Sequence, residues 1–443
     1  MKQMLLYASM LLFVAANGQA NKKQKSAPAT KAKTSSTVRL AAVTSQKAIL
    51  PGATNTAEYF PLLKGKRVGV FANHTSTIGN VHLVDSLKRA GISITMIFGP
   101  EHGFRGTADA GEKVANYTDK QTGIQVVSLY GKKRKPTAED LANVDILLFD
   151  IQDVGVRFYT YISSLQDFME AAIEHKKPLI ILDRPNPNGH YVDGPVLDTT
   201  FRSFVGMQAV PVVYGMTIGE YANFLVGEGL FDKNIMAKMM MDMVNNALNK
   251  DIEDGAPPKI TVIKNRNYTH SSRYELPVKP SPNLPDAGSV AWYPSTCFFE
   301  GTVLSEGRGT DHPFQVFGHP SLPKNLYAFT PTSREGAKNP KLENKLCYGW
   351  NVTNEPLPAK KLQLKYLLEA YKLYPNKEEF FLSPKKNNLQ PNDFFFNKLA
   401  GNAELMQQIK DGKSEEEIRA SWQPQLEAFK KKRKKYLMYP DFE

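Results

Sequence analysis

Ile97-Phe98-Gly99-Pro100-Glu101-His102-Gly103-Phe104-Arg105-Gly106 closes an apolar run that begins at residue 92. An apolar run that stops at Gly-Pro reads as a buried strand running out into a loop. The loop gathers an acid, an imidazole and a guanidinium (Glu101, His102 and Arg105) within five positions. In an open α/β sheet such a loop lies at the C-terminal edge of the strands, where ligands bind. The plainer alternative is a polar surface turn. What neighbouring strands deliver to the same edge decides between the two.

Residues 67–72 (RVGVFA) read as a short apolar strand that ends in Asn73-His74-Thr75-Ser76. Residues 81–90 place Val81, Val84, Leu87 and Ala90 at helical spacing, closed by Gly91. Downstream, residues 124–129, 147–151, 178–183 and 260–264 read as strands, and residues 161–175 as an amphipathic helix. Thr217 and Glu220 form the sequence of a capping box. Strands alternating with helices predict an α/β fold with a Rossmann-like, doubly wound, mostly parallel sheet. Beyond residue 280 prolines and aromatics become frequent. A strand over 296–302 and helices over 362–374 and 414–429 predict a second, smaller α+β domain there. The expected organisation is a signal peptide over 1–20 and a disordered linker over 21–53. A Rossmann-like catalytic domain over 54–280 follows, then a C-terminal domain over 281–443 that closes the cleft.

The signal peptide rests on Lys2, the apolar stretch from Met4 to Ala16 and the small residues near Gly18-Gln19-Ala20. That stretch is too short for a comfortable membrane span, so an exported, periplasmic or secreted protein is expected. Of the 443 residues 42% are hydrophobic and 23% charged, which is ordinary for a globular protein. The net charge of +12 resides in Lys2, in five lysines between residues 21 and 33, and in the run Lys430-Lys431-Lys432-Arg433-Lys434-Lys435. Charge confined to the ends reads as solvated tails or a weak tether to anionic envelope polymers. It does not read as a phosphate-lined groove, so no nucleic-acid partner is expected. Cys297 and Cys347 lie in no C-x-x-C motif and read as buried free thiols.

Four strands deliver polar groups to one edge. The first brings Asn73 and His74, and the second Glu101, His102 and Arg105. The strand at 147–151 brings Asp150, Gln152 and Asp153, then Arg157, Tyr159 and Tyr161. The strand at 178–183 brings Asp183, Arg184 and Asn186. Acids, amides, guanidinium groups and aromatic rings at one edge make a cleft suited to a sugar. Carboxylates act as acid and base or nucleophile, rings cover the apolar face, and amides read hydroxyls. A second dense stretch, from Glu300-Gly301-Thr302 to Ser305-Glu306-Gly307-Arg308-Gly309-Thr310, offers Glu300 or Glu306 as a second carboxylate and Arg308 for an anionic group. The alternative for that stretch is an internal Arg–Glu network holding an irregular loop. No dinucleotide fingerprint, phosphate loop, nucleophile elbow or H-E-x-x-H motif is present. Asp311, His312 and His319 match no standard zinc spacing, and neither metal nor cofactor is expected.

Gly99-Pro100-Glu101-His102-Gly103-Phe104 is one of several motifs that are familiar together. The others are Asp150-Ile151-Gln152-Asp153-Val154-Gly155-Val156-Arg157-Phe158-Tyr159-Thr160-Tyr161, Asp183-Arg184-Pro185-Asn186-Pro187 with Gly194-Pro195, Tyr214-Gly215-Met216-Thr217-Ile218-Gly219-Glu220, and the Glu300-to-Thr310 stretch. With these motifs in this order, the chain resembles the exo-β-N-acetylmuramidase family of glycoside hydrolases over about residues 55–443. The resemblance implies a cofactor-free hydrolase that removes terminal N-acetylmuramic acid from the non-reducing ends of peptidoglycan fragments. It implies that Glu101 is the catalytic glutamate, assisted by one of Asp150, Asp153, Glu300 or Glu306. Substrate contacts are expected from Asn73, His74, His102, Arg105, Gln152, Arg157, Tyr159, Tyr161, Arg184, Asn186 and Arg308. A cleft arginine then has a lactyl carboxylate to bind. The competing readings are a non-catalytic muropeptide-binding envelope protein and an esterase or amidase on cell-wall material.

Overall fold

The strand Arg67–Ala72 (β1) is apolar along its length because the sheet buries it on both faces. The computed structural model describes residues 47–101, 103–106, 115–248, 258–358 and 360–443. The expected signal peptide, most of the expected linker and His102 lie outside them. In chain order the first part comprises α1 (Thr56–Leu63), β1, β2 (Thr77–Ile78), β3 (Val81–His82), α2 (Leu83–Arg89), β4 (Ser93–Gly99), β5 (Tyr117–Thr118), β6 (Gln125–Ser128), β7 (Ile146–Asp150), α3 (Tyr161–Glu174), β8 (Leu179–Leu182), α4 (Ile218–Gly227), α5 (Lys233–Leu248) and β9 (Ile260–Ile263). The main sheet has the order β5-β6-β4-β1-β7-β8-β9. Every neighbouring pair is parallel except β5 on β6.

From β1 the chain builds outward through β4 and β6, then returns to the other side of β1 and builds through β7, β8 and β9. The direction of winding therefore reverses between β1 and β7. Loops leaving these two strands diverge and open a crevice at their C-terminal ends, the place where doubly wound sheets bind ligands. Side chains alternate between two cores. Phe71, Phe98, Leu147, Phe149, Leu179 and Ile181 pack on the side of α3 and α4. Val68, Val70, Ile97, Leu148, Ile180 and Leu182 pack with Leu83, Val84 and Leu87 of α2. α4 begins with the expected capping box: Thr217 accepts from the Glu220 amide and Glu220 from the Thr217 amide.

The smaller second domain carries the antiparallel sheet β10 (Val316–His319), β12 (Cys347–Asn351) and β11 (Tyr327–Phe329), in that order. Around it lie α6 (Ala287–Thr296), α7 (Lys365–Leu373), α8 (Phe395–Ala400), α9 (Glu404–Lys410) and α10 (Glu415–Arg433). Its aromatics join the core beneath α3: Phe158 meets Tyr293 edge-on at 5.4 Å and Phe298 at 5.8 Å. Among the described residues, no helix is long and apolar enough to cross a membrane.

Three sequence expectations are corrected. Residues 296–302 are not a strand; α6 runs into the 3₁₀ turn Cys297–Gly301. Asp286 caps α6 with Ser289, and Trp292, Tyr293, Cys297, Phe298 and Phe299 are all buried, so no alternation remains to favour a strand. The run at 430–435 is no solvated tail, because it forms the last turn of α10 and the turn after it. Cations suit a helix C-terminus, and five of these six are paired. Arg433 is fully buried between the Gly215 carbonyl and a bidentate Asp441, and Lys432 and Lys434 reach Glu228 and Glu443. Folded structure also begins before residue 54. Leu50 bridges Arg266, and the Gly52 amide donates to the Asp183 carbonyl at 2.8 Å. A Cβ at Gly52 would lie 2.2 Å from the Ile263 carbonyl oxygen, so only glycine allows that approach. Cys297 and Cys347 are buried and unbridged, as expected.

Candidate active site

β4 ends at Gly99 and delivers Glu101 to the crevice. Gly106 turns the chain at φ +74°, and a Cβ there would sit 2.2 Å from Nδ1 of His74. The loop carrying Glu101 is thereby seated on the loop that leaves β1. Both oxygens of Glu101 accept hydrogen bonds, from the Tyr130 hydroxyl at 3.0 Å and the Thr160 hydroxyl at 3.3 Å. Burial and the Glu101 charge push the Tyr130 and Tyr161 hydroxyls up, so both remain proton donors across the working range.

Glu101 lines a pocket together with Phe158, Tyr159, Thr160, Tyr161, Ser281, Asn283, Leu284, Tyr293, Arg308 and Phe314. The Tyr159 hydroxyl donates to the Pro280 carbonyl at 2.7 Å, and the Tyr161 hydroxyl accepts from Nδ2 of Asn73 at 2.9 Å. These bonds fix the two rings, which meet edge-on at 4.8 Å. Arg308 forms the opposite wall. It reaches Glu300 at 2.7 Å and Glu306 at 3.5 Å, and lies 5.1 Å over the Phe314 ring. Lys341 contacts Glu306 at 3.1 Å and donates to the carbonyls of Phe299, Thr302 and Leu304. Burial pushes Glu306 up, but Lys341 and Arg308 outweigh it and hold its carboxyl below the usual range. A wider hollow lined by His74, Gly106, Val278, Lys279, Ser281, Pro282 and Glu335 meets the pocket at Ser281.

The structure thus brings Glu101, Tyr159, Tyr161 and Arg308 to one pocket, with Glu300 and Glu306 behind Arg308. Asn73 supports Tyr161, and His74 contacts the Lys279 carbonyl in the adjoining hollow at 2.8 Å. The other nominated residues face elsewhere. Asp150 and Arg184 form a bidentate ion pair, both buried, at 2.6 and 2.8 Å. Arg105 pairs with Asp119 at 2.9 Å. Gln152 donates to the Pro185 carbonyl, and Asn186 to the Met216 carbonyl, each at 2.8 Å. Asp153 is buried under the Tyr214 hydroxyl and the Gly155 amide, and burial pushes its carboxyl up to about 6. Arg157 is fully buried and donates to the carbonyls of Pro195, Val210, Leu399 and Ala400, joining α8 to the first part of the chain. Among the described residues, no group of three His, Cys, Asp or Glu side chains could hold a metal ion.

Tyr130, Thr160, Asn283 and Tyr293 are site residues that the sequence reading did not nominate. Tyr130 follows β6 by two positions, so the edge pattern extended to that strand would have found it. The pocket holds one lining carboxylate among rings, hydroxyls, an amide and a guanidinium, a set that grips a sugar ring and can hand it a proton.

The sequence model of exo-beta-N-acetylmuramidase NamZ, N-terminal, matches residues 68–288, and that of its C-terminal part matches residues 291–439. The chain belongs to the exo-beta-N-acetylmuramidase NamZ family. It is 38% identical over 405 residues to the peptidoglycan beta-N-acetylmuramidase NamZ of Bacillus subtilis, covering 86% of this chain and 89% of the relative. Two crystal structures of DUF1343 family proteins from Bacteroides fragilis share the fold. One has TM-score 0.74 and 41% identity over 89% of this chain and 99% of the other; the second has TM-score 0.70 and 27% identity over 88% and 99%. Both NamZ segments build the pocket. Glu101, Tyr159, Tyr161, Ser281 and Asn283 lie in the N-terminal match, and Tyr293, Arg308 and Phe314 in the C-terminal one.

Proposed function

We propose that this glycoside hydrolase is an exported exo-β-N-acetylmuramidase, releasing terminal N-acetylmuramic acid from the non-reducing end of peptidoglycan fragments during cell-wall turnover. The observation that carries the reading is the position of Glu101, which lines a pocket of rings and hydroxyls in a chain 38% identical to a peptidoglycan β-N-acetylmuramidase. Glu101 donates its proton to the glycosidic oxygen as the bond breaks. Tyr130 and Thr160 hold its carboxyl in place from either oxygen. In this reading the terminal sugar sits against the pocket that Glu101 lines, with the rest of the fragment toward the hollow that adjoins it at Ser281. Export is supported by the signal-like residues at the start of the chain.

Incubation with a muramic acid–glucosamine disaccharide tests the reading. The expected products are the two free monosaccharides. Binding without cleavage, or cleavage only within longer glycan chains, would overturn it. Recovery of the natural protein in the cytoplasmic fraction would overturn export.

A further inference from the structure

The arginines expected to meet an anion are all held already. Arg105 is on Asp119, Arg184 on Asp150, and Arg157 on four carbonyls. Arg308 is flanked by Glu300 and Glu306, so its charge is compensated where it lines the pocket. A different arginine lies outside the lining of the pocket but is linked to Glu101 through two rings. After β6 the chain runs Tyr130-Gly131-Lys132-Lys133-Arg134-Lys135, four cations in succession. Lys133 is paired with Asp140 at 2.6 Å and Lys135 with Glu170. Arg134 is exposed, and its guanidinium lies 4.2 Å over the ring of Phe204. Among the described residues no carboxylate lies within ion-pair distance of it, and the carboxylate that feels its charge is the largely buried Asp167. The Phe204 ring is 6.4 Å from that of Tyr130, whose hydroxyl holds Glu101. The Arg134 charge is felt at the Tyr130 hydroxyl, where it opposes the effect of burial.

A guanidinium held over a ring leaves N–H groups at its edge, and these can grip a carboxylate with two parallel hydrogen bonds. We propose that Arg134 anchors the lactyl carboxylate of the substrate and so selects a muramic acid over a glucosamine residue. This rests on the muramidase reading, which supplies the carboxylate. Arg134 binds substrate beside Glu101 and takes no part in bond cleavage, so its contribution falls on KM more than on kcat.

The test compares a chromogenic β-muramoside bearing the free lactyl acid with the same compound as its lactyl methyl amide. The readout is the ratio of kcat/KM for acid over amide. Arg134→Gln should lower that ratio about tenfold or more, through KM, and Arg134→Lys should give an intermediate value. An unchanged ratio in Arg134→Gln overturns the inference. A ratio that falls in Arg308→Lys but not in Arg134→Gln does the same and transfers the role to Arg308. Failure of the unaltered protein to cleave either compound overturns the muramidase reading and this inference with it.

Discussion

The hydroxyl of Tyr130 donates to Oε1 of Glu101 at 3.0 Å, although the two residues leave different strands of the sheet. β4 and β6 are parallel neighbours, with Ile97 opposite Val126. Their exit loops therefore emerge side by side, and the phenol reaches the carboxyl directly. Glu101→Gln removes the proton donor but keeps a side chain that fits the Tyr130 and Thr160 contacts. Turnover should fall by about 10²–10⁴-fold with little change in thermal unfolding. Tyr130→Phe loses one of the two hydrogen bonds that hold the Glu101 carboxyl and should lower kcat by about tenfold. Steady-state kinetics on a chromogenic muramoside, with melting curves of each variant, measures both.

Asp150 and Arg184 are a structural pair at the point where the sheet reverses its winding. Asp150 ends β7, Arg184 follows β8, and neither is exposed. Removing one partner strands a buried charge. Arg184→Met should therefore cost about 3–5 kcal/mol of stability. The double variant Asp150→Leu with Arg184→Met removes both charges and should recover much of that loss. Urea unfolding of the two single variants and the double variant gives the coupling directly.

The sheet was legible because each parallel strand is a short apolar run ended by a polar or glycine-containing loop. β1 spans the residues expected from RVGVFA, and Glu101 could be placed at a strand end from Gly99-Pro100. What a linear sequence conceals is which polar groups at the edge consume one another. Asp150 and Arg184 are 34 positions apart, and their ion pair arises only because β7 and β8 are neighbours. Arg157 shows the same limit across 242 and 243 positions, to Leu399 and Ala400. The stretch around Cys297 misled for another reason: burial on all sides let aromatic residues take a helix against their strand preference.

Asp183 gives the protein a measurable pH dependence. Its carboxyl accepts from Thr217 at 2.8 Å, the Gly219 amide at 2.8 Å, Asn265 at 3.2 Å and Tyr439 at 2.6 Å. Burial, opposed by the Tyr439 bond and reinforced by Glu220, still pushes it from 3.8 up to about 7. Between those values the folded chain keeps a proton that the unfolded chain has released. Stability from this group is therefore full at low pH and is lost as pH rises toward 7. Asp183→Asn cannot titrate, so its Tm deficit relative to the unaltered protein should be largest near pH 4 and shrink by pH 8. Calorimetry of both proteins across that range measures the deficit, and one that grows with pH would contradict the assignment.

Gly106 seats the loop that carries Glu101 against His74 of the loop that leaves β1. Its φ of +74° disfavours a residue with a Cβ, and that Cβ would overlap the His74 ring at 2.2 Å from Nδ1. Gly106→Ala therefore meets two penalties: about 1–2 kcal/mol for the left-handed backbone, and a clash that only movement of the loop or the imidazole relieves. The loop also carries Glu101, so a displacement there moves the carboxyl relative to Tyr159, Tyr161 and Arg308 across the pocket. A misplacement of about 1 Å can cost on the order of 10²-fold in rate. Gly106→Ala should thus lower kcat well beyond its effect on Tm. His74→Ala in the same chain removes the ring that the new methyl strikes but leaves the backbone strain. The paired variant should recover part of the lost kcat while keeping the lower Tm, and kinetics with melting curves on the single and paired variants separates the two penalties.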